Sequence, residues 1–270
     1  MKVAPVDELP AERRGVRPLL RIRNVSKRFA NGTLAIHGVD LDLAVGEFVS
    51  LLGPSGCGKS TLLRIIAGLA SPSAGALDWP SAPYTATGDP EPALGFVFQE
   101  PTLMPWSNVM RNVMLPLTLA GVGRDEARGR AAEMLTLVGL GGFEKAYPRQ
   151  LSGGMKMRVS IARALVTSPK ILLMDEPFAA LDEITRHKLN DDLLGLWERH
   201  RFTAVFVTHS VFESVYLSQR IVVMAARPGR VVADLAIDAP YPRDDLFRTS
   251  AEYARLCRMG SESLKQAIAA

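Results

Sequence analysis

The chain has 270 residues, 47% of them hydrophobic, and 32 basic against 28 acidic side chains leave a formal net charge of +4. This length allows one large α/β domain or two small ones, and the charge excess is too small to indicate a nucleic-acid-binding protein. Two distant cysteines, Cys57 and Cys257, provide no disulfide framework and no metal-ligand spacing, so a reducing compartment is expected. No apolar run reaches the ~18 residues of a membrane span, and early charges interrupt the N-terminus, so we expect a soluble protein.

The first half of the chain reads as strands with one helix. Residues 1–18 are charged and lack periodicity, which predicts a loose extension. Residues 71–92 are rich in Pro, Gly and Ser, which predicts turns and irregular loop. The strand candidates in this half are Leu20–Asn24, Phe48–Leu52 and Leu94–Phe98.

The second half turns helical and then alternates. Residues 102–165 have a helical pattern, with Asp125 as the expected cap of a helix that ends near Gly139. Residues 170–225 alternate between apolar strands and helices, which predicts right-handed crossovers onto a parallel sheet.

A phosphate-binding loop lies between the strand at 48–52 and the apolar helix that follows. Its sequence, GPSGCGKST, fits the pattern G-x-x-x-x-G-K-[ST] in the required strand–loop–helix context. Backbone N–H groups of such a loop surround the β- and γ-phosphates, where Lys59 adds a positive charge and Ser60 places a hydroxyl on Mg²⁺. The predicted nucleotide-binding residues are Gly53, Pro54, Ser55, Gly56, Cys57, Gly58, Lys59, Ser60 and Thr61.

Polar side chains stand at three further strand ends. KILLMDE at 170–176 ends in Asp175, placed to hold Mg²⁺ through water, and in Glu176, placed to activate the water that attacks the γ-phosphate. Gln99 could complete the metal shell or sense the γ-phosphate, and His209 could hydrogen-bond it ahead of a capping box formed by Ser210 and Glu213. Because open α/β sheets bind ligands at the carboxyl ends of their strands, these residues predict one nucleotide site.

These motifs, with LSGGM at 151–155 and AALD at 179–182, resemble in order the ATP-binding subunit of an ABC transporter. The resemblance covers residues 19–235. It implies an α/β P-loop NTPase with a mostly parallel sheet core, an antiparallel β subdomain and a helical subdomain at about 100–165. The ATPase domain is expected at 19–240, followed by a tail at 241–270 that contains a short amphipathic helix. Phe29 resembles the aromatic residue that stacks on adenine, although a core phenylalanine is an equal alternative.

The resemblance also implies that two copies pair head to tail around two ATP molecules. Ser152, Gly153 and Gly154 at a helix N-terminus would cover the ATP held by the partner copy, and Asp182 would lie in the turn at the dimer seam. Met155 and Met157 stand where many relatives have glutamine. Because Ser152 and backbone amides would carry the phosphate contact, we expect activity to survive this change.

The segment after Gln99, with Leu103, Met104 and Trp106 beside two prolines, suits a groove for a partner helix, and local core packing is the alternative. This stretch and DEPFAALDEITR resemble the nitrate, sulfonate and taurine importer branch, some of whose relatives are assigned to pyrimidine vitamin precursors. The branch implies two permease subunits, an external solute-binding protein, and a peripheral position on the cytoplasmic face of the inner membrane.

Two other classes remain as alternatives. A DNA-repair or translation ABC ATPase would carry a long coiled coil or a second copy of the domain. A P-loop kinase of a small metabolite would lack LSGGM and AALD. The motif set favours the transporter subunit over both.

Overall fold

A computed structural model describes residues 18–80, 82–83 and 92–269 of this chain. The chain divides into two compact units, of which the first combines Met1–Pro92 with Thr203–Ala270 and the second is Ala93–Phe202. The predicted N-terminal extension lies, except for Pro18, outside the described residues.

In chain order the strands are β1 (Pro18–Arg28), β2 (Leu34–Ala44), β3 (Phe48–Leu52), β4 (Ala74–Asp78), β5 (Leu94–Val97), β6 (Ile171–Asp175), β7 (Thr203–Thr208), β8 (Arg220–Ala225) and β9 (Arg230–Ala236). The helices are α1 (Lys59–Ile66), α2 (Val109–Leu119), α3 (Arg124–Leu137), α4 (Gly153–Leu165), α5 (Glu183–His200), α6 (Val211–Leu217), α7 (Asp245–Arg248) and α8 (Ala251–Ala269).

An antiparallel sheet in the first unit has the strand order β2-β1-β4. The irregular loop expected over residues 71–92 is therefore partly wrong, because β4 lies within it. β4 pairs with β1 in a register that places Leu77 opposite the buried Ile22. This pairing, rather than the Gly- and Ser-rich composition of the segment, determines its structure.

A parallel set of strands forms the centre of the first unit. All five residues of β3 are buried, and β3 pairs in parallel with β7 on one side and β8 on the other. β8 also pairs antiparallel with β9. Continuous apolar runs of this kind are typical of parallel strands covered on both faces.

The C-terminal helix α8 belongs to the core of the first unit. The predicted amphipathic helix is confirmed, although at 19 residues it is not short. Its buried face includes Leu256 and Cys257, which join an apolar cluster with Val211 and Val215 of α6. Tyr253 Oη of α8 donates a hydrogen bond of 3.0 Å to the carbonyl of Phe212 in α6.

The second unit combines the parallel pair β5–β6 with α2 to α5. The helical prediction for residues 102–165 is confirmed from α2 to α4, but the predicted cap is wrong. Gly123 is the N-cap of α3, and Asp125 lies in the first turn, where a carboxylate interacts favourably with the helix dipole. Within the described residues, no helix has both the length and the hydropathy needed to cross a bilayer.

Candidate active site

The loop between β3 and α1 is shaped by close backbone contacts. Gly58 is the N-cap of α1 and has a φ of 92°, a left-handed conformation that favours glycine. A Cβ atom at Gly58 would lie 2.9 Å from the carbonyl oxygen of Ala35, so a side chain there would displace backbone. The carbonyl of Gly58 accepts a bond of 2.9 Å from the N–H of Leu62 and starts the helix. The loop therefore turns directly into a helix N-terminus, which is a ready anion site.

Lys59 places its ammonium inside this loop. Its side chain is only 4% exposed, and Nζ donates to the carbonyls of Gly53 at 2.8 Å and Pro54 at 3.1 Å. Ser60 and Thr61 follow in the first turn of α1 and are partly exposed. Cys57 lies in the same loop and is fully buried.

His209 follows the end of β7 and is exposed. Leu52 pairs with Thr208, so the phosphate loop and His209 leave neighbouring strand ends within the first unit. Of the predicted capping box, one half is confirmed, because Ser210 Oγ accepts from the N–H of Glu213 at 3.3 Å. The other half is wrong: the Glu213 carboxylate accepts from Thr208 Oγ1, which itself accepts from the N–H of Ser210 at 3.0 Å. These bonds hold the backbone on both sides of His209.

Phe29 lies at the surface of the first unit. It is 44% exposed, and it lines a cavity of about 530 Å³ together with Arg28, Leu34 and His37. The Lys27 ammonium lies 5.7 Å from the centre of its ring, within cation–π range. The core alternative for Phe29 is therefore wrong, and an exposed ring beside a cavity of ligand size is compatible with base stacking.

The carboxyl ends of β5 and β6 bring three predicted site residues together in the second unit. Val97 pairs with Met174, so Gln99, which is exposed, and the acids Asp175 and Glu176 follow neighbouring strand ends. Asp175 is buried, whereas Glu176 is partly exposed and has a φ of +46°. Non-glycine residues rarely adopt this conformation, which costs about 1–3 kcal/mol and is concentrated at active sites.

The turn after Glu176 leads into α5 through Asp182. Asp182 is the exposed N-cap of α5, and its carboxylate accepts from the N–H of Thr185 at 2.9 Å. This backbone hydrogen bond lowers the pKa of Asp182. The residue predicted for a dimer seam thus has a local role as a helix cap.

The LSGGM segment forms the N-terminus of α4. Ser152 is the N-cap, and its Oγ accepts from the N–H of Met155 at 3.3 Å, which leaves the hydroxyl hydrogen able to donate. Ser152 and Gly153 are exposed. Gly154 is buried, and a Cβ there would lie 2.7 Å from Thr185 Cγ2, so glycine lets α4 pack closely on α5. Met157 is a buried core residue, so at this position methionine packs where a glutamine would need polar partners.

The loop from Pro101 to Ser107 is held by a side chain that sequence reasoning missed. Asn112 in α2 is fully buried and accepts from the N–H of Met104 at 2.8 Å. Its amide donates to the carbonyls of Met104, Ser107 and Asn108 at 3.0–3.2 Å. Trp106, in contrast, is 75% exposed, so the core alternative for this residue is wrong. No local motif marks Asn112, because its partners are backbone groups.

The oxygen donors predicted for Mg²⁺ have suitable chemistry. Ser60, Gln99 and Asp175 offer a hydroxyl, an amide oxygen and a carboxylate, which are hard ligands, and Mg²⁺ usually keeps several waters beside one or two carboxylates. The described residues contain no cluster of three or more His, Cys, Asp or Glu suited to a metal ion. By the chemistry of their oxygen donors, these three side chains fit the magnesium ion that the sequence predicts.

Comparison with known proteins identifies the family. The ABC transporter family model matches residues 36–179, more than half of the chain. An aliphatic sulfonates import ATP-binding protein of Pseudomonas syringae is 46% identical over 251 residues, covering 92% of this chain and 97% of the relative. An ABC transporter ATP-binding protein of Methanocaldococcus jannaschii is 48% identical over 237 residues, covering 87% and 86%. The ATP-binding cassette MJ0796, solved as a post-hydrolysis dimer with ADP and Pi, aligns with a TM-score of 0.70 and 35% identity over 82% of this chain and all of that one.

These matches confirm the predicted fold class and favour the transporter interpretation over the repair, translation and kinase alternatives. The chain belongs to the ABC transporter family and is an ATP-binding, ATP-hydrolysing subunit.

Proposed function

We propose that this chain energises solute import by ATP-driven dimerisation that is coupled to two permease subunits. The import direction is supported by the Pseudomonas relative, which is named as an import ATP-binding protein. The chain would bind peripherally to the cytoplasmic face of the inner membrane through those permeases. The observation that carries the proposal is the second anion site: Ser152 and Gly153 are exposed at the start of a 13-residue helix, in the unit that does not contain the phosphate loop.

In this proposal the first unit holds the nucleotide. The backbone of residues 53–58 surrounds the β- and γ-phosphates, and Thr61 adds a contact in the first turn of α1. Lys59 Nζ, which donates to the carbonyls of Gly53 and Pro54, exchanges part of these bonds for phosphate oxygens. Phe29, exposed beside its cavity, stacks on adenine.

Hydrolysis depends on residues at the strand ends. Ser60, Gln99 and Asp175, the last through water, would hold Mg²⁺, which neutralises charge on the transferred phosphoryl group. Glu176 orients and deprotonates the attacking water. His209, held between Thr208 and Ser210, donates a hydrogen bond to the γ-phosphate.

The α4 N-terminus serves the ATP of a second copy of this chain. Ser152 Oγ and the N–H groups of Gly153 and Gly154 offer partial positive charge to the γ-phosphate. ATP then joins two copies, hydrolysis weakens the pair, and Asp182 lies at the seam. The dimeric state of the cassette MJ0796 supports this arrangement.

Permease coupling is assigned to the docking loop, which we define as residues 101–106. This loop follows Gln99, and it exposes Trp106 while Leu103 and Met104 are partly exposed. Two prolines and the bonds to Asn112 stiffen it, so a shift at Gln99 moves the loop as a whole. A large exposed aromatic on a stiff loop suits an anchor in a protein interface.

The solute is proposed to be a small anion such as a sulfonate, taurine or nitrate, or a pyrimidine-type vitamin precursor, delivered by an extracytoplasmic binding protein. The Pseudomonas relative, which is named for aliphatic sulfonates, supports the sulfonate class. The permeases and the binding protein, rather than this chain, select the solute.

Uptake by the complete transporter tests this function. The chain is co-expressed with permease and binding-protein genes that are sought beside its own gene, and uptake of labelled taurine, an alkanesulfonate, nitrate and a pyrimidine is measured in proteoliposomes with ATP inside. We expect uptake of one class with wild type and none with Glu176→Gln. ATP hydrolysis that the loaded binding protein does not stimulate, with no uptake of any solute, contradicts the proposed role.

A further inference from the structure

The docking loop has a second anchor, at its beginning, which comes from helix α4. The Arg163 guanidinium donates from Nη1 to the carbonyl of Thr102 at 2.9 Å. Its Nη2 donates to the carbonyl of Pro101 at 3.0 Å and to Thr102 Oγ1 at 2.9 Å. One side chain thus makes three hydrogen bonds to the first two residues of the loop, while Asn112 holds its other end.

The chemistry of this contact requires arginine. All three acceptors are neutral oxygens, and burial lowers the pKa of Arg163. The planar guanidinium presents several donors in a fixed fork, whereas a lysine ammonium is a single compact charge. Thr102 has a φ of +47°, which non-glycine residues rarely adopt, so the loop begins in a conformation that these bonds help to hold.

Arg163 lies on the helix that begins at the proposed anion site. Ser152 is the N-cap of α4 and Arg163 is in its last turn, so one continuous helix joins Ser152 to the docking loop. The intervening Arg158 contacts other elements: it pairs with Asp192 of α5 and donates to the carbonyl of Val138 at 2.8 Å. A helix transmits a displacement of one end to the other because its backbone bonds run along its whole length.

We propose that Arg163 is a positioning residue that links capture of the partner's ATP at the start of α4 to the docking loop. The proposal rests on the proposed function, because it takes Ser152 as the contact to that ATP. This contact gives the docking loop a second input that does not pass through Gln99. The position of the loop then depends on dimer closure, through α4 and Arg163, as well as on nucleotide in the chain's own phosphate loop, through Gln99.

Tryptophan fluorescence tests this link. Trp79 and Trp197 are buried and Trp106 is exposed, so acrylamide quenching reports mainly on Trp106, and Trp106→Phe supplies the background. Each variant is made in the full chain with Glu176→Gln, and its mass and quenching constant are measured with and without ATP and Mg²⁺. Arg163→Lys is compared with Arg158→Lys, which changes an arginine of the same helix that does not hold the loop.

We expect the Glu176→Gln parent and its two variants, Arg163→Lys and Arg158→Lys, to dimerise with ATP. The ATP-dependent change in Trp106 quenching should be present in the parent and in Arg158→Lys, and lost in Arg163→Lys. A dimer of Arg163→Lys with the full Trp106 response overturns the proposal, as does a parent dimer whose Trp106 quenching does not change. A parent that stays monomeric with ATP contradicts the proposed dimerisation instead.

Amide hydrogen exchange tests whether Arg163 holds the docking loop in place, and this test does not depend on dimerisation. The N–H groups of Met104 and Ser107 are hydrogen-bonded within the loop region, to Asn112 Oδ1 and to the Met104 carbonyl. Losing hydrogen bonds to a charged group should speed their exchange roughly tenfold or more in Arg163→Lys. Unchanged exchange in the loop, or faster exchange throughout the second unit, overturns the anchoring role, whether or not ATP produces a dimer.

Discussion

Replacing Trp106 by alanine separates an interface role from a packing role. Trp106 is 75% exposed, so only about a quarter of a side chain of roughly 250 Å² is buried within the chain. At about 25 cal/mol per Å², the buried quarter contributes at most about 1.5 kcal/mol to the free energy of unfolding. In a unit of this size such a loss lowers the melting temperature by about 6 °C at most.

Trp197→Ala is the matched control, because Trp197 is fully buried in the same unit. Truncating a buried tryptophan costs about 3–5 kcal/mol, two to three times the limit for Trp106. For permease binding, in contrast to stability, we expect Trp106→Ala to have the larger effect. Loss of an aromatic anchor costs about 2 kcal/mol or more, which weakens permease binding about 30-fold.

The assay measures melting temperature, ATP affinity and uptake per ATP in one preparation of each variant. We expect Trp106→Ala to keep its ATP affinity and nearly all of its stability while permease association and solute uptake fall. If Trp106→Ala instead melts as early as Trp197→Ala, and the remaining complex keeps normal uptake per ATP, the docking role of Trp106 is wrong.

Three further predictions concern chemistry, partnership and thiol reactivity. Glu176→Gln should bind ATP normally and hydrolyse it about 10²–10⁴-fold more slowly, and turnover near that of wild type would remove Glu176 from the role of general base. The isolated chain should be mostly monomeric and Glu176→Gln dimeric with ATP. Adding Ser152→Arg should restore the monomer in light scattering without loss of nucleotide binding, so a normal dimer would disprove the cross-subunit contact. Cys57 is fully buried and burial raises the pKa of Cys257 to about 11, so neither thiol should react with iodoacetamide at pH 8 until the chain is unfolded, and rapid native labelling of Cys57 would indicate an open phosphate loop.

Local pattern was sufficient for the elements whose residues are buried on all sides. Phe48–Leu52 was predicted with its observed bounds, because a short apolar run before a glycine-rich loop is typical of a central parallel strand. β4 could not be predicted in the same way. Its pairing residues come from β1, 48 to 57 residues earlier, and its own composition favours turns. The cap of α3 was misplaced because Asp125 suits a first turn as well as an N-cap.

In the candidate site, too, residues that belong to a local motif could be predicted, whereas residues whose partners are distant in sequence could not. The residues at the strand ends belong to motifs with fixed spacing, and the phosphate loop needs its lysine and glycines at set positions. Arg163 and Asn112 have no such signal. Arg163 contacts Thr102 across 61 residues of sequence, and its acceptors include backbone carbonyls, which every residue possesses. Side chains that hold backbone can be identified only once the fold brings them together.

The discontinuity of the first unit has a consequence for synthesis on the ribosome. β3 emerges early, but its neighbours β7 and β8 begin about 150 residues later. At about 5–20 residues per second, this delay is roughly 8–30 s. The second unit is continuous in sequence, so all of it is available to fold before the nascent phosphate-loop strand has any parallel neighbour. A nascent chain that stalls before β7 has emerged therefore exposes β3 as an apolar strand without its neighbours, which is the kind of surface that promotes aggregation.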